Sequence, residues 1–168
     1  MPLFPPPSPV PQIIDNEAAS YTGNTSALTA NTIYLWAFEL SVPVIIVGMR
    51  WRNAATATGS TNMGIYTAAG NLVAGSDTGA VANAVNTTKT FTYGSPVVLQ
   101  PGQYFLAISC NNGTDTFNAL TPGFTDASRA RRATNTLATG ALPATTGAIV
   151  VLTSFAPAMA ALVSGGLA

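Results

Sequence analysis

The chain has 168 residues, enough for one domain with a sizeable core and too few for two. Only 7% of them are charged, against about 25% in an ordinary soluble domain, and six basic side chains balance six acidic ones. The balance excludes the electrostatic footprint of a nucleic-acid binder, and the lack of histidine removes Ser-His and Cys-His nucleophiles together with the commonest metal ligand.

Taken in chain order, the first element is a strap. Six of the first eleven residues, MPLFPPPSPVP, are proline. Proline fixes φ and keeps each preceding residue out of the helical region, so residues 1 to about 12 are expected to be extended. At about 3.1 Å per residue such an arm reaches roughly 35 Å, comparable to the width of a small domain. The linker IIDNEAASYTGNTSALTAN completes the segment 1–30, with turn residues at Gly23 and Asn24 and a short pairing segment at Ile13 and Ile14.

From Asn31 the text changes to short β-like runs separated by turn signals, the pattern of a sandwich or barrel. IYLWAFEL (33–40) is followed by VIIVGMRWR (44–52), where the two-residue period sets Ile45, Val47, Met49 and Trp51 on one face. NMGIYTAAGNLVAGS reads as two short strands around a turn at Ala69, Gly70 and Asn71. TKTFTYG (88–94), PVVLQ (96–100) and QYFLAISC (103–110) come next, the last two joined through Pro101 and Gly102. TFNALT (116–121) and GAIVVLTSF (147–155) complete the set, around a long loop at 122–146 with room for a weak strand near Thr134 to Leu137. The apolar GAIVVLTSF run predicts a central strand buried on both faces, and PAMAALVS has helical periodicity for a turn or two. The strand domain is placed at 31–156 and an apolar tail at 157–168.

The chemistry-bearing residues are sparse. Cys110, the lone cysteine, is expected to be a buried small hydrophobe at a strand end. Asp15, Glu17, Glu39, Asp77, Asp115 and Asp126 lie in no motif that sets the spacing of a glycosidase pair, and Glu39 reads as a rim carboxylate or a partner for Arg50 or Arg52. No phosphate loop, EF-hand or cysteine pair occurs, so no catalytic residue, cofactor or metal site is expected. The one basic cluster, Arg129, Arg131 and Arg132 in DASRARRATN, reads as a solvated loop or a salt-bridged contact to an acidic partner. The leader has neither a basic n-region nor an apolar h-region, so assembly in a cytoplasm is expected, where the sequons at Asn24, Asn86 and Asn112 carry no meaning. AIVVLTSFAPAMAALV falls short of the roughly 20 apolar residues a bilayer requires, and no membrane partner is expected.

Two stretches carry a resemblance. Gly64, Ile65 and Tyr66 lead through Gly70 and Asn71 to a return at Leu72 and Val73, and Leu99, Pro101, Gly102, Tyr104, Leu106 and Ala107 form a Pro-Gly hairpin. Over residues 31–110 the order of runs resembles a β-sandwich module of tailed-bacteriophage virion proteins, found in head decoration and in tail and fibre proteins. The resemblance implies an all-β fold, a single jelly-roll-like antiparallel β-sandwich of about eight or nine strands, and a virion setting. The residues it quotes are structural, so it assigns no catalytic role.

With so little surface charge, a surface covered by neighbours is expected. The resulting expectation is a non-enzymatic capsid decoration or cementing subunit, made in the host cytoplasm and residing in the virion. Its partners would be further copies of itself, a trimer as first guess, and virion proteins such as the major capsid protein. The expected contacts are Leu3, Phe4, Pro5, Pro6, Pro7, Val10, Ile13 and Ile14 of the arm, with Arg129, Arg131 and Arg132. The alternative is a tail or fibre receptor-binding module that binds carbohydrate, with Trp36 and Trp51 as stacking platforms.

Overall fold

The computed structural model describes residues 13–15, 25–120, 129–134, 137–152 and 155–164, excluding the side chains of 13–15 and Leu120. The contacts expected of Leu3, Phe4, Pro5, Pro6, Pro7 and Val10, and of the side chains of Ile13 and Ile14, lie outside the described residues. Among those residues the chain is all-β and antiparallel. Its strands are β1 (Ile13–Asp15), β2 (Thr25–Ala27), β3 (Ile33–Leu40), β4 (Val44–Arg52), β5 (Ser60–Thr67), β6 (Val81–Ala82) and β7 (Thr88–Leu99). The second half adds β8 (Gly102–Cys110), β9 (Thr116–Leu120), β10 (Ala130–Ala133), β11 (Ile149–Val151), β12 (Ala156–Pro157) and β13 (Met159–Val163). They form a four-stranded sheet in the order β1-β13-β4-β7, a six-stranded sheet β11-β10-β3-β8-β5-β6, and a three-stranded sheet β12-β9-β2. The count exceeds the expected eight or nine because β10 and β13 fall where a loop and a helical turn were expected, and because β1, β2, β6 and β12 are only two or three residues long. So short a run shows no alternation to read.

The six-stranded sheet is buried on both faces along the first half of β3, which explains the apolarity of Ile33 to Trp36. Tyr34, Trp36 and Phe38 enter the main core with Met49 and Trp51 of the four-stranded sheet, while Ile33 and Leu35 turn to the opposite face and pack with Tyr66 and Ala107. That outer face is covered by part of the segment expected to be a long loop with a weak strand near Thr134 to Leu137. Leu137 and Leu142 pack there, Tyr66 Oη donates to Pro143 O at 2.8 Å, and Leu72 N donates to Ala144 O at 2.8 Å. Gly64 permits this approach, since a Cβ at that position would stand 2.8 Å from Leu142 Cδ1.

One residue resets the pattern of β4. The register runs from Gly48↔Thr92 directly to Ile46↔Val97, so Val47 faces four residues of β7, Tyr93 to Pro96. Trp51 and Met49 point into the core below the bulge, and Ile46 and Val44 above it. The expected face of Ile45, Val47, Met49 and Trp51 is therefore correct for only its second half, because an irregularity exchanges the two faces of a strand. Gly48 sits against the partner backbone, where a Cβ would lie 2.1 Å from Phe91 O. TKTFTYG and PVVLQ, expected as separate strands, are one strand through this bulge, and Pro96 is tolerated there because β7 is a sheet edge.

Three further expectations are corrected. The LVAGS return after the Gly70 turn is not a strand; Ser76 Oγ accepts from Ile65 N at 3.0 Å and Thr78 Oγ1 from Met63 N at 2.9 Å, so hydroxyls replace ladder carbonyls. GAIVVLTSF supplies β11, an edge strand with Val150 39% and Val151 60% exposed, rather than a buried central strand. PAMAALVS is strand, not helix: β13 lies between β1 and β4, with Met159, Ala160 and Ala161 fully buried. No helix among the described residues is long and apolar enough to cross a membrane.

Candidate functional site

The arginine cluster is not a solvated loop. Arg131 and Arg132 belong to β10, opposite Leu35 and Tyr34 on one side and opposite Val151 and Val150 of β11 on the other. Successive strand residues point to opposite faces, so each arginine shares a face with one exposed valine: Arg131 with Val151 on the outer face, Arg132 with Val150 on the core side. Arg129 lies just before the strand and is exposed. The six-stranded sheet thus ends in a strip of two exposed valines flanked by guanidinium groups. β10 was missed in the sequence because alanine occupies its two inward-packed positions, Ala130 and Ala133, and alanine carries little strand signal.

Near Arg129 the outer face of the same sheet is left uncovered. A shallow groove of about 230 Å³ opens there, lined by Glu39, Gln103, Tyr104, Phe105 and Arg129 among others. Glu39 is exposed at its rim, as expected of a strand-end carboxylate.

Both tryptophans named as carbohydrate platforms are core residues. Trp36 is 3% and Trp51 0% exposed, and Trp51 Nε1 donates to Asn83 Oδ1 at 3.4 Å. Neither ring offers a face to a sugar. Alternation brought both into the core, on β3 and on the lower half of β4.

The most polar buried constellation is one no motif announced. Asp115 is fully buried, and its Oδ1 accepts from Thr58 N at 2.8 Å and Thr58 Oγ1 at 3.2 Å. Its Oδ2 accepts from Gly59 N at 2.8 Å and Asn83 Nδ2 at 2.7 Å. Burial alone would raise its carboxyl, but these four donors outweigh burial and hold it below the ordinary carboxylate value of 3.8. Asn83 Oδ1 in turn accepts from Thr61 Oγ1 at 2.8 Å, so the network ties the loop after β4, the segment after β6 and the β8–β9 turn together. With both oxygens saturated by donors, Asp115 acts as a clamp.

Cys110 ends β8 fully buried, as expected, and burial, the largest influence, pushes its thiol up; Asp115 Oδ2 lies 3.8 Å away. Burial first, and then the charge of Asp77, raise the phenols of Tyr66 and Tyr93. Asp77 itself is exposed and accepts from Gly79 N at 2.8 Å. Among the described residues no three His, Cys, Asp or Glu side chains come together. No protein-family model matches the chain, and no curated protein matches it.

Proposed function

We propose that this chain is a non-enzymatic structural subunit of a bacteriophage particle, a capsid decoration or cementing protein with a jelly-roll-like fold. It works by burying surface between copies, with a trimer as the first arrangement to test, and against a capsid lattice. The observation that carries the reading is the β10–β11 edge. It has exposed valines, neighbouring arginines and no proline or lysine to block strand addition, on a protein whose surface is almost devoid of charge. The resemblance of residues 31–110 to virion sandwich modules supports the setting. The proline arm adds a strap that loses little conformational entropy on docking, because its backbone is already restricted.

Native mass in solution tests the assembly, with a symmetric oligomer expected and a stable monodisperse monomer as the contrary result. On purified particles, deleting residues 2–12 is expected to lower subunit occupancy and heat resistance. Unchanged occupancy removes the clamp. The receptor-binding alternative loses Trp36 and Trp51 as platforms, since both are buried.

A further inference from the structure

The hydrogen bonds at the two ends of β11 fix which way its backbone points. In an antiparallel ladder a residue's N–H and C=O turn to the same neighbouring strand, and the side alternates along the chain. Leu152 N donates to Ala130 O at 3.0 Å and Thr134 N donates to Ala148 O at 2.9 Å, so Ala148, Val150 and Leu152 face β10. Ile149 and Val151 therefore turn their N–H and C=O groups outward. Among the described residues no strand lies on that side. The outward groups recur at every second residue, which is the repeat that a further antiparallel strand reads. The long edge strand β7 is guarded by Lys89, Pro96 and the bulge opposite Val47, and the edge strand β12 contains Pro157. β11 holds Ile149, Val150 and Val151, with neither charge nor proline.

We propose that β11 pairs with β11 of a second copy, antiparallel and about a two-fold axis through Val150. The pairing deepens the structural-subunit reading and rests on it, because it names a contact by which copies meet. With the axis at Val150, Ile149 of each copy lies opposite Val151 of the other and the two exchange hydrogen bonds. Both outward N–H groups and both outward C=O groups of each edge are then used. Val150 meets Val150 at the closer of the two antiparallel spacings, about 4.5 Å between Cα atoms. This axis also sets β-branched side chains opposite one another at all three positions of β11, which suits a ladder. Charge selects the same partner. An added strand places its side chains opposite Val150 and Val151, 39% and 60% exposed, while Arg131 and Arg132 lie one strand further back. An acidic segment would set carboxylates against valines; a second β11 sets valine and isoleucine there. The two Arg132 residues stand three strand spacings apart, about 14 Å, beyond the screening length of about 8 Å at physiological salt. Their repulsion is therefore small. A three-residue ladder falls short of the roughly 1,600 Å² of a standard interface, so free copies pair weakly and a lattice that holds them side by side strengthens the contact.

The test places single cysteines in the full chain, oxidises them under mild conditions and reads covalent dimer by non-reducing electrophoresis. Cys110 is fully buried, so the parent chain serves as the blank. Val150→Cys is expected to cross-link at least about tenfold faster than Val85→Cys, a site 52% exposed and outside every strand, since Cα atoms about 4.5 Å apart suit a disulfide. Ile149→Cys mixed with Val151→Cys should cross-link faster than either variant alone, which fixes the register. Val151→Pro removes only an outward N–H, so added to Val150→Cys it should leave thermal unfolding unchanged and slow the cross-link by a similar factor. Equal rates for Val150→Cys and Val85→Cys, or a cross-link indifferent to Val151→Pro, would overturn the two-fold edge. The two readings fail separately. An oligomer that survives Val151→Pro, with no fast Val150→Cys cross-link, overturns the edge pairing and leaves the structural-subunit reading standing. A fast Val150→Cys cross-link in a protein absent from purified particles overturns the structural-subunit reading and keeps the edge pairing.

Discussion

The two apolar runs near the C-terminus have opposite fates. AIVVL is the more strongly hydrophobic, yet it supplies β11, a three-residue edge with two exposed valines. MAALV is built mostly of small residues, yet it supplies β13, flanked by β1 and β4 and buried along most of its length. The difference teaches that burial is granted by neighbours. β13 lies against bulky β4, where Trp51 and Met49 already fill the core, so small side chains are what fit there. Among the described residues β11 has a strand on one side only, and its hydrophobicity remains available for another surface. Asp115 makes the converse point, a charged group accepted inside because four donors were brought to it.

The sharpest way to break this comparison is to truncate the buried strand. Met159→Ala should destabilise the protein by about 2–5 kcal/mol, measured by denaturant unfolding, through lost burial and the cavity left behind. A loss no larger than that of an exposed substitution would mean β13 is not a core strand. Asp115→Asn should cost about 1–3 kcal/mol, because an amide nitrogen would face N–H donors and the bonds that remain lose their charge assistance. The same variant should flatten the acid limb of the stability profile. The folded-state pKa of Asp115 lies below the ordinary value of 3.8, so its contribution is present above about pH 4 and is lost as pH falls through the folded value. A parent and variant with parallel acid limbs would contradict the clamp.

On the exposed side, Val151→Thr should change unfolding free energy by less than about 0.5 kcal/mol while weakening self-association in sedimentation. Loss of fold instead of loss of association would place β11 with the core strands. The smallest effect is expected for Arg131→Gln with Arg132→Gln. Unfolding should stay nearly unchanged, and any binding to an acidic partner surface should lose part of its salt dependence, read by titration at two ionic strengths.

Much of the strand map was legible before the fold was known. β3, β4, β8 and β9 fall where apolar runs and turn residues put them, and the burial of Cys110 followed from its place at a strand end. The face assignment along β4 failed at Val47, because a bulge is a relation between two strands and leaves no mark in one of them. The clamp around Asp115 was invisible for a similar reason. Its donors come from Thr58, Gly59 and Asn83, brought together by three connections far apart in the chain.

The sequence by itself determined that this is a β protein with little charge, no histidine chemistry and a proline-rich N-terminal segment. Those properties follow from residue type and spacing along one strand. Only the tertiary structure decided which apolar run became the interior and which way β4 faces on either side of Val47. Each of these depends on which strand lies next to which, and pairing partners are chosen by the whole chain at once.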